Sequence, residues 1–197
     1  LKRMEGTRTI FDLSKYQKPG ANQTKAPKSP DSVLCAGKYA GHLQGICRGS
    51  GGNFFWSFTQ ALVKTNIQGK VMKKVKVADH HGDVCFANGK IYCAVNFGAF
   101  NDPKGNADNW VYVYDSKNLE CLAKHPVPEV KHGAGGIAFK SGRFIVVGGL
   151  PEGIQENYVY EYDKAFHFKK RHIVKSGWTK LGIQAAAFAQ GHWWFGC

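Results

Sequence analysis

The chain has 197 residues, with 27 Lys or Arg against 14 Asp or Glu, and its formal net charge is +13. A content of 43% hydrophobic and 13% aromatic residues is enough for a buried core, which excludes a disordered, collagen-like or coiled-coil chain. No apolar run approaches the roughly 18 residues that a membrane-spanning helix requires, so the sequence predicts no membrane span.

Residues 1–40 differ in composition from the rest of the chain. Eight Lys or Arg are scattered there among three prolines, which predicts an irregular, basic N-terminal segment with one strand at residues 8–13. From residue 41 onward, short β-rich runs alternate with Gly, Asn and Asp, and no helical periodicity is present.

Four turn signals, each flanked by apolar residues, recur along this second part. Asn-Gly and Gly-Gly tolerate the positive φ angles of a type I′ hairpin turn, and the other two signals place Gly at the second turn position. Each signal therefore predicts a two-residue turn between two antiparallel strands. The signals are SGGN at 50–53, ANGK at 87–90, KSGR at 140–143 and AQGH at 189–192.

A second pair of strands is predicted after each of the first three hairpins. The segments VYVYD at 111–115 and VYEYD at 159–163 are near copies, which indicates an internal repeat. Each repeat is thus predicted to contain four strands, as a propeller blade does. The predicted second pairs are 61–64 with 71–77, 110–115 with 120–127, and 158–163 with 168–174.

The segment GRFIVVGG at 142–149, followed by YVYEYD at 158–163, resembles a blade of the kelch-type and related bacterial β-propellers. The resemblance covers residues 41–197 and concerns architecture more than subfamily. Residues 96–98 read Asn-Phe-Gly where a kelch blade has Gly-Gly, and the fourth strands lack the expected Trp. Another antiparallel meander or a sandwich is the alternative fold.

The resemblance implies an all-β fold, a β-propeller of four-stranded antiparallel blades with about three and a half blades in this chain. After Gly191 only residues 192–197 follow, so the fourth blade is predicted to hold its inner two strands alone. We expect further residues, the N-terminal segment or a second chain to close the propeller, because an open one exposes apolar faces and edges. The predicted blades are 41–77, 78–127, 128–174 and, in part, 175–197.

In a propeller, the first strand of each blade lines the central channel, and ligands bind where the connections into the first strands meet the loops between second and third strands. Counting back ten residues from each turn glycine places the entrances at 42–45, 79–82, 132–135 and 181–184. Imidazoles and a carboxylate that converge there can bind a divalent metal or act as general acid and base. Candidate metal ligands are His42, Asp79, His80 and His132, and candidate catalytic residues are His80, His81 and His132, with Asp83 beside them.

Two long loops, 96–109 and 148–157, are predicted on the same face. Their oxygen-rich side chains suit calcium or sugar hydroxyls, although no EF-hand spacing is present and a solvated loop is the alternative. Phe97 and Phe100 fall in the first loop with no strand to pack within, whereas the five tryptophans are predicted mostly as core between blades. The candidate ligand-binding residues are Asp102, Asp108, Asn109, Glu152 and Glu156.

The basic residues of the blades concentrate in predicted outermost strands, where lysine prevents pairing between sheet edges. No phosphate loop, helix-turn-helix or RNA-binding signature is present, so nucleic-acid binding is not predicted. Half of the acidic residues fall near the connections on the ligand-facing side, Asp83 and Glu129 among them. The outermost-strand cations are Lys70, Lys73, Lys74, Lys76, Lys169, Lys170 and Arg171.

The six cysteines form no Cys-x-x-Cys pair, so no structural zinc site is predicted. Cys85 and Cys93 flank one predicted turn, but its register pairs Val84 with Cys93 and Cys85 with Tyr92, so buried free thiols are expected. The cysteine pattern does not indicate whether the protein works in an oxidising or a reducing compartment. We expect a secreted or periplasmic location.

These observations predict a binding or scaffold propeller that presents a His- and acid-rich loop face to a glycan or protein ligand. The alternative is a metal-assisted carbohydrate-active lyase or hydrolase with a histidine cluster at the channel mouth. Binding is favoured because the fourth entrance, residues 181–184, carries no ionisable group.

Overall fold

The computed structural model describes residues 32–197, and the strand predicted at residues 8–13 lies outside the described residues. Residues 32–42 contain no strand, and fourteen strands follow. They are β1 (Leu43–Arg48), β2 (Phe54–Phe58), β3 (Ala61–Thr65), β4 (Val71–Lys76), β5 (His81–Ala87), β6 (Lys90–Asn96), β7 (Asn109–Asp115), β8 (Cys121–Pro126), β9 (Ala134–Lys140), β10 (Arg143–Gly148), β11 (Asn157–Asp163), β12 (Phe168–Val174), β13 (Ala185–Ala189) and β14 (His192–Gly196).

The strands form three four-stranded antiparallel sheets and one two-stranded sheet, each in simple chain order. The first strands of successive sheets contact one another, β1 with β5, β5 with β9 and β9 with β13. The sheets therefore radiate from a common centre as propeller blades, numbered 1 to 4 in chain order. The predicted all-β propeller is confirmed, and the described residues supply two strands of the fourth blade.

Three of the four predicted hairpin turns have the expected geometry. Both central residues take a positive φ in each, for example 49° at Asn88 and 76° at Gly89, as a type I′ turn requires. The first turn differs, because the Gly49 N–H donates to the Asn53 carbonyl and leaves the three residues Ser50–Gly52 as the loop. The two-residue turn predicted there is wrong.

The core lies between neighbouring blades, where the side chains of alternate strand positions interdigitate. Close approach of the first strands depends on glycine, since a Cβ on Gly82 would lie 2.5 Å from the Gly135 carbonyl oxygen. Representative core residues are Phe55, Leu62 and Ile91 between blades 1 and 2, Val111, Ile137 and Phe144 between blades 2 and 3, and Val147, Val159 and Phe195 between blades 3 and 4.

The outermost strands carry the predicted cations on exposed positions. Lys73, Lys74 and Lys76 are exposed on β4, as are Lys169 and Arg171 on β12. Charged edge strands resist pairing with another chain, so this part of the net charge has a structural explanation. Among residues 32–197, no helix has the length and apolar character needed to cross a membrane.

Candidate functional site

One end of the blades gathers the connections predicted to bind ligands. We define this loop face as residue 42, the connections 77–80, 127–133 and 175–184 into the first strands, and the loops 59–60, 97–108 and 149–156 between second and third strands. The two long loops lie between the strands as predicted, whereas blade 1 has a turn of only two residues there.

His42 and His80 lie on this face and share one partner. The Gln44 side-chain nitrogen lies 3.0 Å from His42 Nε2 and 2.6 Å from His80 Nε2, and the two ring centroids are 6.3 Å apart. The backbone of His42 is fixed by Thr59, whose N–H donates to the His42 carbonyl, and that of His80 by the Asn96 N–H. Blades 1 and 2 therefore bring the two imidazoles to one point.

The other two candidate metal ligands face different partners. Asp79 is exposed and accepts a hydrogen bond of 3.4 Å from the Gln60 amide, while His132 is 7% exposed and its Nδ1 donates to the Asp102 carbonyl at 3.0 Å. Within the described part of the chain, no group of three or more His, Cys, Asp or Glu side chains is placed to hold a metal ion.

His81 lies beneath the loop face and is completely buried. Its Nδ1 donates to the Ala78 carbonyl at 2.6 Å and its Nε2 accepts from the Tyr114 hydroxyl at 2.7 Å, so both ring nitrogens are engaged. Burial lowers the pKa of His81 to about 4, which keeps the ring neutral at physiological pH. This ring therefore acts as a structural element of blade 2, out of reach of a ligand on the face.

The acidic candidates of the long loops lie near the surface. Asp102 accepts from the Lys104 N–H and the Asn106 amide, and these hydrogen bonds, the Lys104 N–H first, lower the pKa of its carboxyl. Asp108 accepts from the Trp110 indole, and Glu156 from the Tyr158 hydroxyl. Glu152 is exposed.

Asn109 differs from the other candidates because it is the buried first residue of β7. Its amide donates to the Val130 carbonyl and its side-chain oxygen accepts from the Ala134 N–H at 2.6 Å. Asn157, the first residue of β11, likewise donates to side chains of the next connection. These two asparagines tie the third strands of blades 2 and 3 to the entrance of the following blade. Each stands two residues before one of the near-copy segments, and this shared position was the available signal.

Hydrogen bonds also fix the long loops against these entrances. The Asn101 N–H donates to the His132 carbonyl at 2.9 Å, and the Trp178 N–H donates to the Gln155 side chain at 3.2 Å. The side-chain oxygen of Asn101 is buried without a hydrogen-bond partner among the described residues. The loops are thus held in place while keeping one acceptor free.

Apolar side chains are exposed on the same face. Phe97 is 40% and Trp178 43% exposed, and Leu181 is similarly accessible. Trp178 was missed because it was grouped with the core tryptophans, although it belongs to a connection rather than a strand. Exposed aromatic side chains on fixed loops are common anchors for ligands.

Asp83 turns away from the face on which it was predicted. It belongs to β5, is 4% exposed, and accepts from the Val84 N–H at 2.8 Å and from the Ala186 N–H of blade 4 at 3.0 Å. Burial, opposed by these hydrogen bonds and one from the Ile137 N–H, raises the pKa of its carboxyl to about 7. The prediction that Asp83 contributes to an acidic loop face is wrong, since its carboxyl joins blades 2, 3 and 4 internally.

Comparison with known proteins supports the architecture. No protein-family model matches the chain, and no curated protein sequence does. Among solved structures, the glutaminyl cyclase of Myxococcus xanthus is similar with a TM-score of 0.57 and 12% identity, covering 78% of this chain and 60% of that one. The protein U3-55K is similar with a TM-score of 0.50 and 8% identity, covering 76% and 43%.

The chain thus spans at most 60% of the length of these two proteins. Identities this low establish a shared fold alone. The class of protein defined by the blades and by these similarities is the β-propeller.

Proposed function

We propose that this propeller is a binding or scaffold protein whose loop face recognises a ligand, a glycan or a protein. The observation that carries the proposal is that Phe97, in the first long loop, and Trp178, in the last connection, are each about 40% exposed on one face. The second long loop holds that connection through the hydrogen bond from the Trp178 N–H to Gln155. Aromatic faces stack on sugar rings or fill a pocket of a protein partner. The polar side chains of Asp102 and Glu152 lie on the same loops and suit hydroxyl groups.

The proposal is tested by titrating the full chain with a panel of defined soluble polysaccharides and following tryptophan fluorescence. Phe97→Ala combined with Trp178→Ala is expected to lower affinity at least about tenfold, because the anchors of an interface carry most of its binding energy. The matched control combines Met72→Ala with Ile173→Ala, which removes apolar side chains of at least the same exposure from β4 and β12. Equal losses in both double variants would contradict the loop face as the binding surface, and binding to no polysaccharide would leave a protein as the ligand.

A second candidate function is a metal-assisted lyase or hydrolase that acts on carbohydrate. The convergence of His42 and His80 on Gln44 favours it. The test is polysaccharide cleavage with and without added Zn²⁺, comparing the unmodified chain with His80→Ala and His132→Ala. Cleavage that neither the metal nor the two substitutions change would contradict this candidate. Membership of a kelch-like subfamily stays a prediction.

A further inference from the structure

The histidines of this chain can be sorted by what their ring nitrogens face. All eight lie within the described residues, and six have an individual partner. His42 and His80 alone direct ring nitrogens at one shared atom, the Gln44 side-chain nitrogen. The ring of His125 stacks on Phe166. Ring nitrogens of the five others face the Ala78 carbonyl and Tyr114 (His81), the Asp102 carbonyl (His132), Asp163 (His167), Glu161 (His172) and the Gln190 carbonyl (His192).

The tautomers follow from this arrangement. An amide nitrogen is a donor with two N–H groups, so it satisfies both Nε2 atoms only when each accepts through its lone pair. The Nε2 atoms of His42 and His80 then carry no proton, and both lone pairs point to the same position. A neutral imidazole with an available lone pair is the usual nitrogen ligand of a transition metal.

We propose that His42, His80 and Gln44 form a binding site for a divalent transition metal of the zinc type. The metal binds between the two Nε2 atoms that now face the Gln44 amide nitrogen, and the Gln44 side chain moves back so that its oxygen becomes a third ligand. Imidazole nitrogens favour Zn²⁺, Ni²⁺ or Cu²⁺ over Mg²⁺ and Ca²⁺, which prefer oxygen ligands.

The surroundings set the character of the site. His42 is exposed and Gln44 and His80 are half-buried, so water reaches the remaining coordination positions. No third His, Cys, Asp or Glu of the described residues completes the set, so binding is weaker than at a structural zinc site and the coordination sphere stays open. An open position on a ligand-facing surface is what a metal-assisted reaction or a bridging ligand uses.

Because Asp79 and His132 have other partners, the predicted four-ligand set reduces to a pair of histidines and an amide. This inference deepens the second candidate function, which requires a metal on this face. Metal binding is measured without any substrate, so a site that binds metal but supports no cleavage is distinguishable from a site that binds none.

The test uses the full chain with Cys121→Ser and Cys197→Ser, which removes the two exposed thiols as competing zinc ligands. Calorimetric titration with Zn²⁺ is expected to give one site per chain. His42→Ala and His80→Ala are each expected to lower the affinity at least about tenfold. Loss of a group that merely orients a metal ligand costs about 10–100-fold, and loss of the ligand itself costs at least as much. His192→Ala, an exposed histidine on β14, is the matched control and is expected to bind as the parent does.

A second measurement identifies the atoms. In ¹⁵N-histidine spectra, Zn²⁺ is expected to shift the Nε2 resonances of His42 and His80 and to leave those of His81 unchanged. Gln44→Glu is expected to tighten binding, because it offers a charged oxygen at the same position. Absence of zinc binding, equal losses in the three histidine variants, or metal at other rings would overturn the site.

Discussion

The buried carboxyl of Asp83 makes the stability of this propeller depend on pH. Burial raises the pKa of this group to about 7 from its ordinary value of 3.8. The folded chain therefore holds the Asp83 proton more tightly than the unfolded chain does. The stabilising contribution is fully present below pH 3.8 and is lost as the pH rises through about 7.

The size of the effect follows from the two pKa values of Asp83, about 7 and 3.8. Each pKa unit corresponds to about 1.36 kcal/mol, so the full change in the free energy of unfolding is on the order of 4 kcal/mol. His81 acts in the opposite direction, because burial lowers its pKa to about 4 from 6.5. Its contribution is present above pH 6.5 and is lost as the pH falls through about 4, so the two groups partly cancel in the unmodified chain.

The variant Asp83→Asn separates the pH-dependent contribution of Asp83 to stability from that of His81. The amide cannot ionise and loses one of the two acceptors that face the Val84 and Ala186 N–H groups, which is a cost independent of pH. Urea unfolding followed by tryptophan fluorescence between pH 4.5 and 8.5 measures both chains. The free energy of unfolding of the unmodified chain, less that of the variant, is expected to fall by about 3 kcal/mol across this interval.

His81 titrates in both chains, so its contribution cancels in that difference. A difference that stays flat within about 0.5 kcal/mol from pH 4.5 to 8.5 would contradict the raised pKa of Asp83, since it would mean that this carboxyl is hydrated in the folded chain. A difference that rises with pH would instead show that the hydrogen bonds from the three blades outweigh burial.

Two further predictions follow from buried groups. Asn109→Ala and Asn157→Ala are each expected to lower the free energy of unfolding by about 1–3 kcal/mol, because each leaves buried hydrogen-bonding partners unsatisfied. Urea unfolding measures this change, and losses below about 0.5 kcal/mol would contradict the role of these asparagines in joining blades. Iodoacetamide is expected to alkylate the exposed Cys121 in the folded chain and to reach Cys85 and Cys93 only after unfolding, because burial raises the pKa of both thiols. Mass spectrometry detects the labelled residues, and equal labelling of all three would contradict the burial of Cys85 and Cys93.

Local chemistry was enough to predict the blades. Turn signals and alternating apolar residues depend on neighbours close in sequence, and they predicted three type I′ hairpins as well as the second strand pairs. The register across the Asn88-Gly89 turn placed Cys93 opposite Val84, and this pairing is confirmed. Lysines on β4 and β12 were predicted as perimeter charges for the same reason, because edge strands must resist pairing.

The site depended on features that counting along the sequence cannot reveal. The pairing of each of the first three inner strands is irregular near its entrance, at Leu43/Gly45 in blade 1, at His81/Val84 in blade 2 and at Val147/Gly148 in blade 3. Such bulges redirect side chains. Positions that are equivalent along the sequence therefore do not point to one centre.

Turn propensity and two-residue periodicity are properties of short stretches of sequence, so the repeat, the hairpins and the outermost strands that carry charge could be predicted before folding is considered. Packing of the blades brings His42 and His80 together at Gln44, and it places His132 against the backbone of Asp102. It also turns Asp83 inward, where its carboxyl joins three blades. Contacts between blades depend on strand bulges and on the close approach that glycine allows. Neither is set by residues adjacent in the chain.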